Sequence, residues 1–215
     1  NIISFVDIGV EITCGDLNKD ENTLSLGTNT GIVLFFEVNE QYKLSLIYEF
    51  RLYDKEMISE VSFSPVSDEL AVCSHGHKNV YFVLTNTNAK FQVLGYAVLP
   101  YEVTGMSWNT SNKQVVAKDY PQLFVLVGFA VLGLTAPDAK SHHRRGDHLR
   151  LECELTARKV DPDMTNIVVL GSGELLLSGK DKVLKKYKQP EEAIVKIDWK
   201  VKAANTPPIE EIEGH

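Results

Sequence analysis

The sequence has 215 residues, of which 29 are acidic and 22 are basic, and its formal net charge is −7. This acidic balance argues against a domain that binds nucleic acid mainly through phosphate contacts. The longest apolar run, residues 123–134, is shorter than the roughly twenty residues that a membrane-spanning helix needs. It predicts a pair of buried strands, and neither a nucleic acid nor a membrane is expected as a partner.

The three cysteines, Cys14, Cys73 and Cys153, are an odd number and include no Cys-x-x-Cys pair. Neither a disulfide framework nor a zinc knuckle is therefore predicted. The sequence opens on Asn1 without the charged and apolar leader of a secreted protein. We expect a cytoplasmic protein and interpret the sequence as a piece of a longer one.

An apolar pattern recurs along the chain at an interval of 45 or 46 residues. A period of this size is typical of propeller blades. Three units share the pattern: Ile12, Leu17, Leu24 and Leu26 are matched by Ile58, Phe63, Leu70 and Val72, and then by Val103, Trp108, Val115 and Ala117.

Within each unit, short apolar runs alternate with polar turns, which predicts strands rather than helices. The first unit predicts strands at 12–17, 23–27, 31–38 and 44–50, and the second at 58–63, 69–73, 79–84 and 91–99. Pro65 lies in the turn after the first strand of the second unit, where its missing N–H costs no ladder hydrogen bond.

The third unit predicts strands at 103–108, 114–117, 122–128 and 129–134. A fourth, degenerate unit predicts strands at 165–170, 174–178, 182–187 and 209–213, with an irregular stretch at 201–208 before the last of them. Four strands in each unit correspond to one propeller blade.

The predicted fold class is therefore all-β, a divergent β-propeller with about four blades visible and long loops. Blades are assigned to residues 1–55, 56–100 and 101–136, and 137–160 to an insertion or flexible loop. Residues 161–215 are assigned to a degenerate blade that ends at the start of the next repeat. A closed ring ordinarily has more blades, so we expect other segments or another chain to supply them.

The turn Phe63-Ser64-Pro65, followed by an apolar triplet and a Ser-His-Gly turn, resembles the consensus of WD repeats. Residues 178–183 resemble the turn before the third strand of such a repeat, and Gly214-His215 resembles the Gly-His dipeptide that opens the next one. No Trp-Asp dipeptide ends a third strand; Phe36-Glu37, Leu84-Thr85 and Tyr187-Lys188 occupy that place. The Asp-His-Ser-Trp hydrogen-bond network of the family is therefore not expected.

The fourth unit is similar to the cilia- and flagella-associated WD-repeat proteins of the axoneme. It most resembles the member that, with a sister WD-repeat protein, tethers the inner-arm dynein to the doublet microtubule. The resemblance implies a non-enzymatic scaffold or tether in the cilium or flagellum, with axonemal proteins, dynein and tubulin as partners. A cytoplasmic adaptor in trafficking or ubiquitin transfer is the alternative, and a propeller hydrolase is a third hypothesis.

The densest group of basic residues lies in the fourth unit. These lysines either protect an edge strand from pairing with another chain or contact an acidic partner such as the tubulin surface. Trp199 in the same unit is a candidate interface anchor. The predicted partner-binding residues are Lys180, Lys182, Lys185, Lys186, Lys188 and Trp199.

No residue is predicted to serve catalysis, a cofactor or a metal. The sequence has no Gly-x-Ser-x-Gly elbow, phosphate-binding Gly-rich loop or His-Glu-x-x-His pair. His142, His143 and His148 are interpreted as part of a solvated loop rather than as metal ligands. Asp16 is expected to cap hydrogen bonds locally at a turn.

Overall fold

The computed structural model describes residues 6–74, 76–85, 91–110, 123–135, 149–151, 153, 155–190, 192–193 and 210–213. In these residues every regular element is a β-strand, and the strands form four antiparallel sheets. The chain divides into two compact units. The first unit holds the first two sheets, and the second unit holds the other two. None of the described residues forms a helix that could cross a membrane.

The first sheet has the order β1-β2-β3-β4. Its first turn is closed by Asn18, whose Oδ1 accepts hydrogen bonds from the backbone N–H groups of Asn22 (3.0 Å) and Thr23 (2.9 Å). The next turn needs Gly31, which has a φ of 81° and whose added Cβ would collide with the carbonyl oxygen of Tyr53. The strands are β1 (Ile12–Leu17), β2 (Thr23–Thr28), β3 (Ile32–Val38) and β4 (Leu44–Arg51).

The second sheet has the order β5-β6-β7-β8. In its first turn Ser64 Oγ accepts hydrogen bonds from the N–H groups of Val66 (3.3 Å) and Ser67 (3.1 Å), as the Ser-Pro sequence predicts. The strands are β5 (Ile58–Phe63), β6 (Glu69–Ser74), β7 (Asn79–Leu84) and β8 (Gln92–Val98). All eight strands predicted for the first two repeats are thus confirmed, with ends that shift by one residue at most.

The third sheet differs from the prediction. Its order is β16-β12-β11-β10-β9, from β9 (Gly105–Trp108), β10 (Leu123–Val127), β11 (Ala130–Leu134), β12 (Leu155–Lys159) and β16 (Glu192–Ala193). Leu123 pairs with Trp108 as Leu24 pairs with Leu17, so the repeat match at Val115 is wrong. The second strand is β10, and the predicted strand 114–117 lies outside the described residues.

The fourth strand of the third sheet also corrects the sequence interpretation. Residues 155–159 were assigned to an insertion or flexible loop, but they form β12, which pairs with β11 along its full length. The apolar run 123–134 folds into the predicted strand pair, with Gly128 at the turn (φ 54°). Because this run supplies two inner strands, the chain must return through 155–159 to complete the blade. The blade boundaries themselves stay a prediction.

The fourth sheet has the order β13-β14-β15-β17. Gly173, at a φ of 87°, turns the chain between its first two strands. The strands are β13 (Met164–Val169), β14 (Leu175–Gly179), β15 (Val183–Tyr187) and β17 (Glu210–Glu213). All four strands predicted for the degenerate unit are confirmed.

Each unit stacks two sheets around one apolar core. Val33 and Phe35 of the first sheet pack against the second sheet, which contributes Phe63, Leu70 and Val83. We call the face that a blade turns to the following blade its front face, and the opposite face its back face. Directly paired residues share a face, so Asp16, Ser25 and Phe35 form one row of the front face of the first blade.

The second unit is built in the same way. Phe124, Leu126 and Val131 on the front face of the third blade pack against the back face of the fourth blade, which contributes Ile167, Val169, Leu175, Leu177 and Tyr187. Burial of this size supplies most of the favourable free energy of folding. The blades therefore hold their loops and outer strands on a packed support.

Candidate functional site

Asp16 fixes the first blade to the second. Its Oδ2 accepts a hydrogen bond of 2.7 Å from the backbone N–H of Phe63, and its Oδ1 accepts one of 2.9 Å from Leu17. Thr13 Oγ1 donates to the carbonyl oxygen of Ile58 at 2.6 Å. Asp16 therefore makes one local hydrogen bond, as expected, but Asn18 closes the turn itself. A carboxylate committed to two N–H donors holds blades together.

An equivalent contact fixes the third blade to the fourth. Ser107 Oγ accepts a hydrogen bond of 3.2 Å from the backbone N–H of Val169, and Thr110 Oγ1 donates to the carbonyl oxygen of Val169 at 3.3 Å. Asp16 and Ser107 are the next-to-last residues of β1 and β9, and Phe63 and Val169 end β5 and β13. The sequence did not predict that Asp16 and Ser107 join neighbouring blades, although the two residues occupy the same position of the repeat.

Lys185 lies inside the fourth blade rather than on its surface. Its side chain is 10% exposed, and its Nζ lies 2.7 Å from Asp161 Oδ2 and 2.6 Å from Asp181 Oδ2. Hydrogen bonds to Asp161 and then to Asp181 raise the pKa of the Lys185 ammonium above its usual range. The hydrogen bond from Lys185 lowers the pKa of Asp181 below its usual value.

The other four lysines are more accessible. Lys180, Lys182 and Lys188 are exposed, and Lys186 is half-buried with its Nζ 3.7 Å from Glu174 Oε2. The alternative interpretation, an edge strand protected by lysines, is wrong for β15, because β14 and β17 pair with its two sides. Lys185 and Lys186 point to opposite faces because they are neighbours in a strand.

The exposed lysines form two separate groups. Lys180 and Lys182 flank the turn between β14 and β15, where Lys182 has a φ of 63°. Lys188 follows the other end of β15. A five-residue strand separates the two ends by about 17 Å at a rise of about 3.3 Å per residue. One acidic partner at the turn could therefore contact Lys180 and Lys182 together, whereas Lys188 lies at the far end of the strand.

Nothing in the described residues favours a reactive centre. Burial raises the pKa of the Cys73 thiol to about 12 and that of Cys153 to about 11, so neither is a thiolate nucleophile at neutral pH. The same part of the chain holds no group of three potential metal ligands. Trp199 and the histidines at 142, 143 and 148 lie outside the described residues, and their roles stay predictions.

Comparison with solved structures identifies the fold. A chain in the crystal structure of the mitotic checkpoint complex is 14% identical, with a TM-score of 0.60 over 84% of this chain and 51% of that one. The RRP9 WD40 repeats and U3-55K are each 12% identical, with TM-scores of 0.57 over 90% of this chain and 52% and 53% of theirs. The chain spans about half the length of these structures.

No family model and no curated protein matches the sequence. At 12 to 14% identity the structural likeness concerns the fold alone. The fold is all-β and of the WD40-repeat propeller type, as the sequence pattern predicted. The described residues form four blades, two in each unit.

Proposed function

We propose that the chain is a non-enzymatic scaffold or tether of the motile axoneme, where rigid propeller surfaces bind neighbouring proteins. The resemblance of its fourth unit to axonemal WD-repeat proteins motivates the cellular setting. The packed blades support a scaffold, because they display loops and outer strands without using them for stability. Inner-arm dynein, a sister WD-repeat protein and tubulin are the proposed partners.

The observation that carries the proposal is the turn formed by Lys180 and Lys182. Backbone hydrogen bonds hold it in place, from Lys180 N to Asp163 O and from Lys182 N to Gly179 O, each 3.3 Å long. Asp181 between the two lysines is itself exposed, but its Oδ2 pairs with Lys185 Nζ at 2.6 Å. Two cations are thus presented together to solvent, and this arrangement fits an acidic protein surface such as that of tubulin.

Microtubule cosedimentation tests this contact. The Lys180→Glu, Lys182→Glu double variant is expected to bind on the order of tenfold more weakly at low salt, because rim charges control association. The matched control is Lys19→Glu, Lys55→Glu, which changes the charge equally at exposed positions of the first unit. Lys55 is well matched, since its φ of 59° is close to the 63° of Lys182. Equal loss of binding in both variants would contradict the contact.

Fractionation of cilia tests the setting. An axonemal tether is expected to stay with the axoneme after detergent removes the membrane, and to leave it only at high salt. A trafficking or ubiquitin adaptor would wash out with the soluble fraction. Release with the detergent extract would overturn the axonemal proposal and favour the adaptor.

A further inference from the structure

We infer that the outer edge of β4, the last strand of the first blade, binds an extended segment of a partner protein as a fifth, parallel strand. The partner segment carries a basic residue between two apolar residues. This edge belongs to the first unit, so the inference does not depend on the lysine turn of the proposed function, which lies in the second unit.

The second and third blades show that outer strands of this chain accept a further segment. In the second blade the backbone N–H of Tyr96 on β8 donates to the carbonyl oxygen of Leu149 at 2.9 Å, and Tyr96 forms a parallel bridge with Arg150. In the third blade β12 pairs with β16. For β4, by contrast, β3 is the only pairing strand in the part of the chain that the structure describes.

The middle of β4 is apolar and accessible. Leu46 is 52% exposed, and Ile47 and Tyr48 are each 39% exposed. Edge strands that avoid pairing with other chains commonly carry charged residues, above all lysine, or proline. Residues 44–48 include no proline and no charged residue. Such an edge offers backbone groups for pairing and apolar side chains for contact, as peptide binding by strand addition requires.

The register of the two outer strands locates the pairing position. Leu34 and Tyr81 each lie just before the irregularity in the pairing of a third strand with a fourth, and they pair with Glu49 and Tyr96. Backbone N–H groups of an antiparallel strand point alternately toward its partner and away from it. That of Tyr96 points away, to Leu149. The N–H of Glu49 is therefore directed to the open edge.

The charge at this position indicates which partner fits. The segment on β8 reads Leu149-Arg150-Leu151, and Arg150 lies opposite Tyr96. On β4 the equivalent partner residue lies opposite the exposed carboxylate of Glu49, and a residue of opposite charge stabilises such a pair. Arg51, the nearest cation of β4, donates instead to the carbonyl oxygen of Thr30. A basic residue opposite Glu49 therefore gives the best match.

The two residues beside the basic one meet an aromatic cluster. Neighbours in a strand point to opposite faces, so these residues lie next to Tyr48 and Phe50 on the front face of the blade. The Tyr48 ring stacks on Phe91 with centroids 5.4 Å apart and lies 5.9 Å from the Phe50 ring. Apolar partner residues would extend this cluster.

Synthetic peptides test the inference on the 215-residue chain. A nine-residue peptide with Leu-Arg-Leu at its centre and Thr and Ser on both sides is expected to bind saturably in fluorescence anisotropy. Glu49→Lys should weaken this binding about tenfold and should favour a Leu-Glu-Leu peptide instead. The matched control Glu21→Lys changes another exposed carboxylate of the first unit and should bind as the unchanged chain does. Equal loss in both variants, or no saturation below about 1 mM peptide, would overturn the inference.

Methylated peptides test the backbone pairing. In a parallel fifth strand the N–H of the second leucine faces the carbonyl oxygen of Glu49, whereas the N–H of the arginine faces away. N-methylation of the second leucine should therefore weaken binding about tenfold, and N-methylation of the arginine should leave it nearly unchanged. Equal affinity of the two methylated peptides would overturn binding by strand addition.

Hydrogen exchange locates the bound peptide and identifies the occupant. The peptide is expected to slow exchange in residues 44–51, most of all at the amide of Glu49, and protection confined to other residues would overturn the inference. The Lys180→Glu, Lys182→Glu variant should bind the peptide normally, which separates this site from the proposed tubulin contact. Sedimentation of the chain alone should show a monomer. A dimer that protects residues 44–51 would make a second copy the occupant and would overturn the assignment to a partner protein.

Discussion

The two blade interfaces solve one packing problem with different residues. In the first unit the row behind Asp16 holds a small Ser25 on β2 and a large Phe35 on β3. In the second unit the row behind Ser107 holds a large Phe124 on β10 and a small Gly133 on β11. The aromatic side chain thus lies on the third strand in one blade and on the second strand in the other. The total side-chain volume of the row is nearly the same in both. Cores tolerate such exchanges better than a change of volume.

The hydrogen bond between blades differs in a related way. A carboxylate accepts it in the first unit at 2.7 Å, and a neutral hydroxyl accepts it in the second unit at 3.2 Å. Hydrogen bonds to charged groups are shorter and stronger than neutral ones. The acceptor thus occupies the same position of the repeat at both interfaces, while its residue type and the strength of its hydrogen bond differ.

Removal of the ring in the first unit should have the largest effect. Phe35 is fully buried, so Phe35→Gly is expected to cost about 3–5 kcal/mol in the free energy of unfolding. Adding Ser25→Phe imitates the second unit and should recover about 1–2 kcal/mol of this loss. Urea titration followed by hydrogen exchange of residues 58–63 measures both. A double variant no more stable than the single one would show that the two interfaces are not interchangeable.

Removal of the acceptors should have a smaller and unequal effect. Asp16→Ala is expected to cost about 1.5–3 kcal/mol and Ser107→Ala about 0.5–1.5 kcal/mol, as charged and neutral hydrogen bonds differ. The measurement is exchange of the Phe63 amide in the first variant and of the Val169 amide in the second. If Ser107→Ala lost more free energy of unfolding than Asp16→Ala, the charge of the acceptor would not determine the strength of these two hydrogen bonds.

The ion triad of Lys185, Asp161 and Asp181 makes the stability of the second unit depend on pH. Its removal is expected to have the smallest effect of the three changes. The folded-state pKa of Asp181 is lowered, so its contribution is present above the ordinary carboxyl pKa of about 3.9 and is lost as pH falls through the lower folded value. The pKa of Lys185 is raised, so its contribution is present below the ordinary lysine pKa of about 10.4 and is lost as pH rises through the higher folded value.

Lys185→Met should cost about 1 kcal/mol at neutral pH, because both carboxylates remain partly solvated. It should also flatten the pH dependence at both ends, which exchange of residues 183–187 at several pH values measures. If the stability of the variant fell at acid pH as much as that of the unchanged chain, the triad would not control the stability of the fourth blade.

The sequence predicted regular repeats well and interrupted ones poorly. The strands of the first two blades follow from short apolar runs separated by turns around Asn18, Gly31 and Ser64, which are local signals. The third blade misled the pattern because a long segment separates β9 from β10, and Val115 happened to continue the apolar spacing. Periodicity reports only the distance along the chain, so it cannot show where a hairpin has been lengthened.

The candidate site was predicted in part. The sequence identified the basic group of the fourth unit, and the structure shows Lys180, Lys182 and Lys188 exposed. It could not show that Lys185 is internal, because its partner Asp161 lies 24 residues earlier in the chain. Nor could it show that β15 is an inner strand, since the strand that pairs with its other side, β17, comes only at Glu210–Glu213.

The sequence by itself determined that the chain is all-β and that its strands come in repeated sets, because turn chemistry and apolar spacing act between near neighbours. Only the tertiary structure decided which segments form the second and fourth strands of the third blade, which lysine is neutralised and which carboxylate joins two blades. Those features depend on contacts between residues about 25 to 60 positions apart, and the register of stacked sheets fixes such contacts.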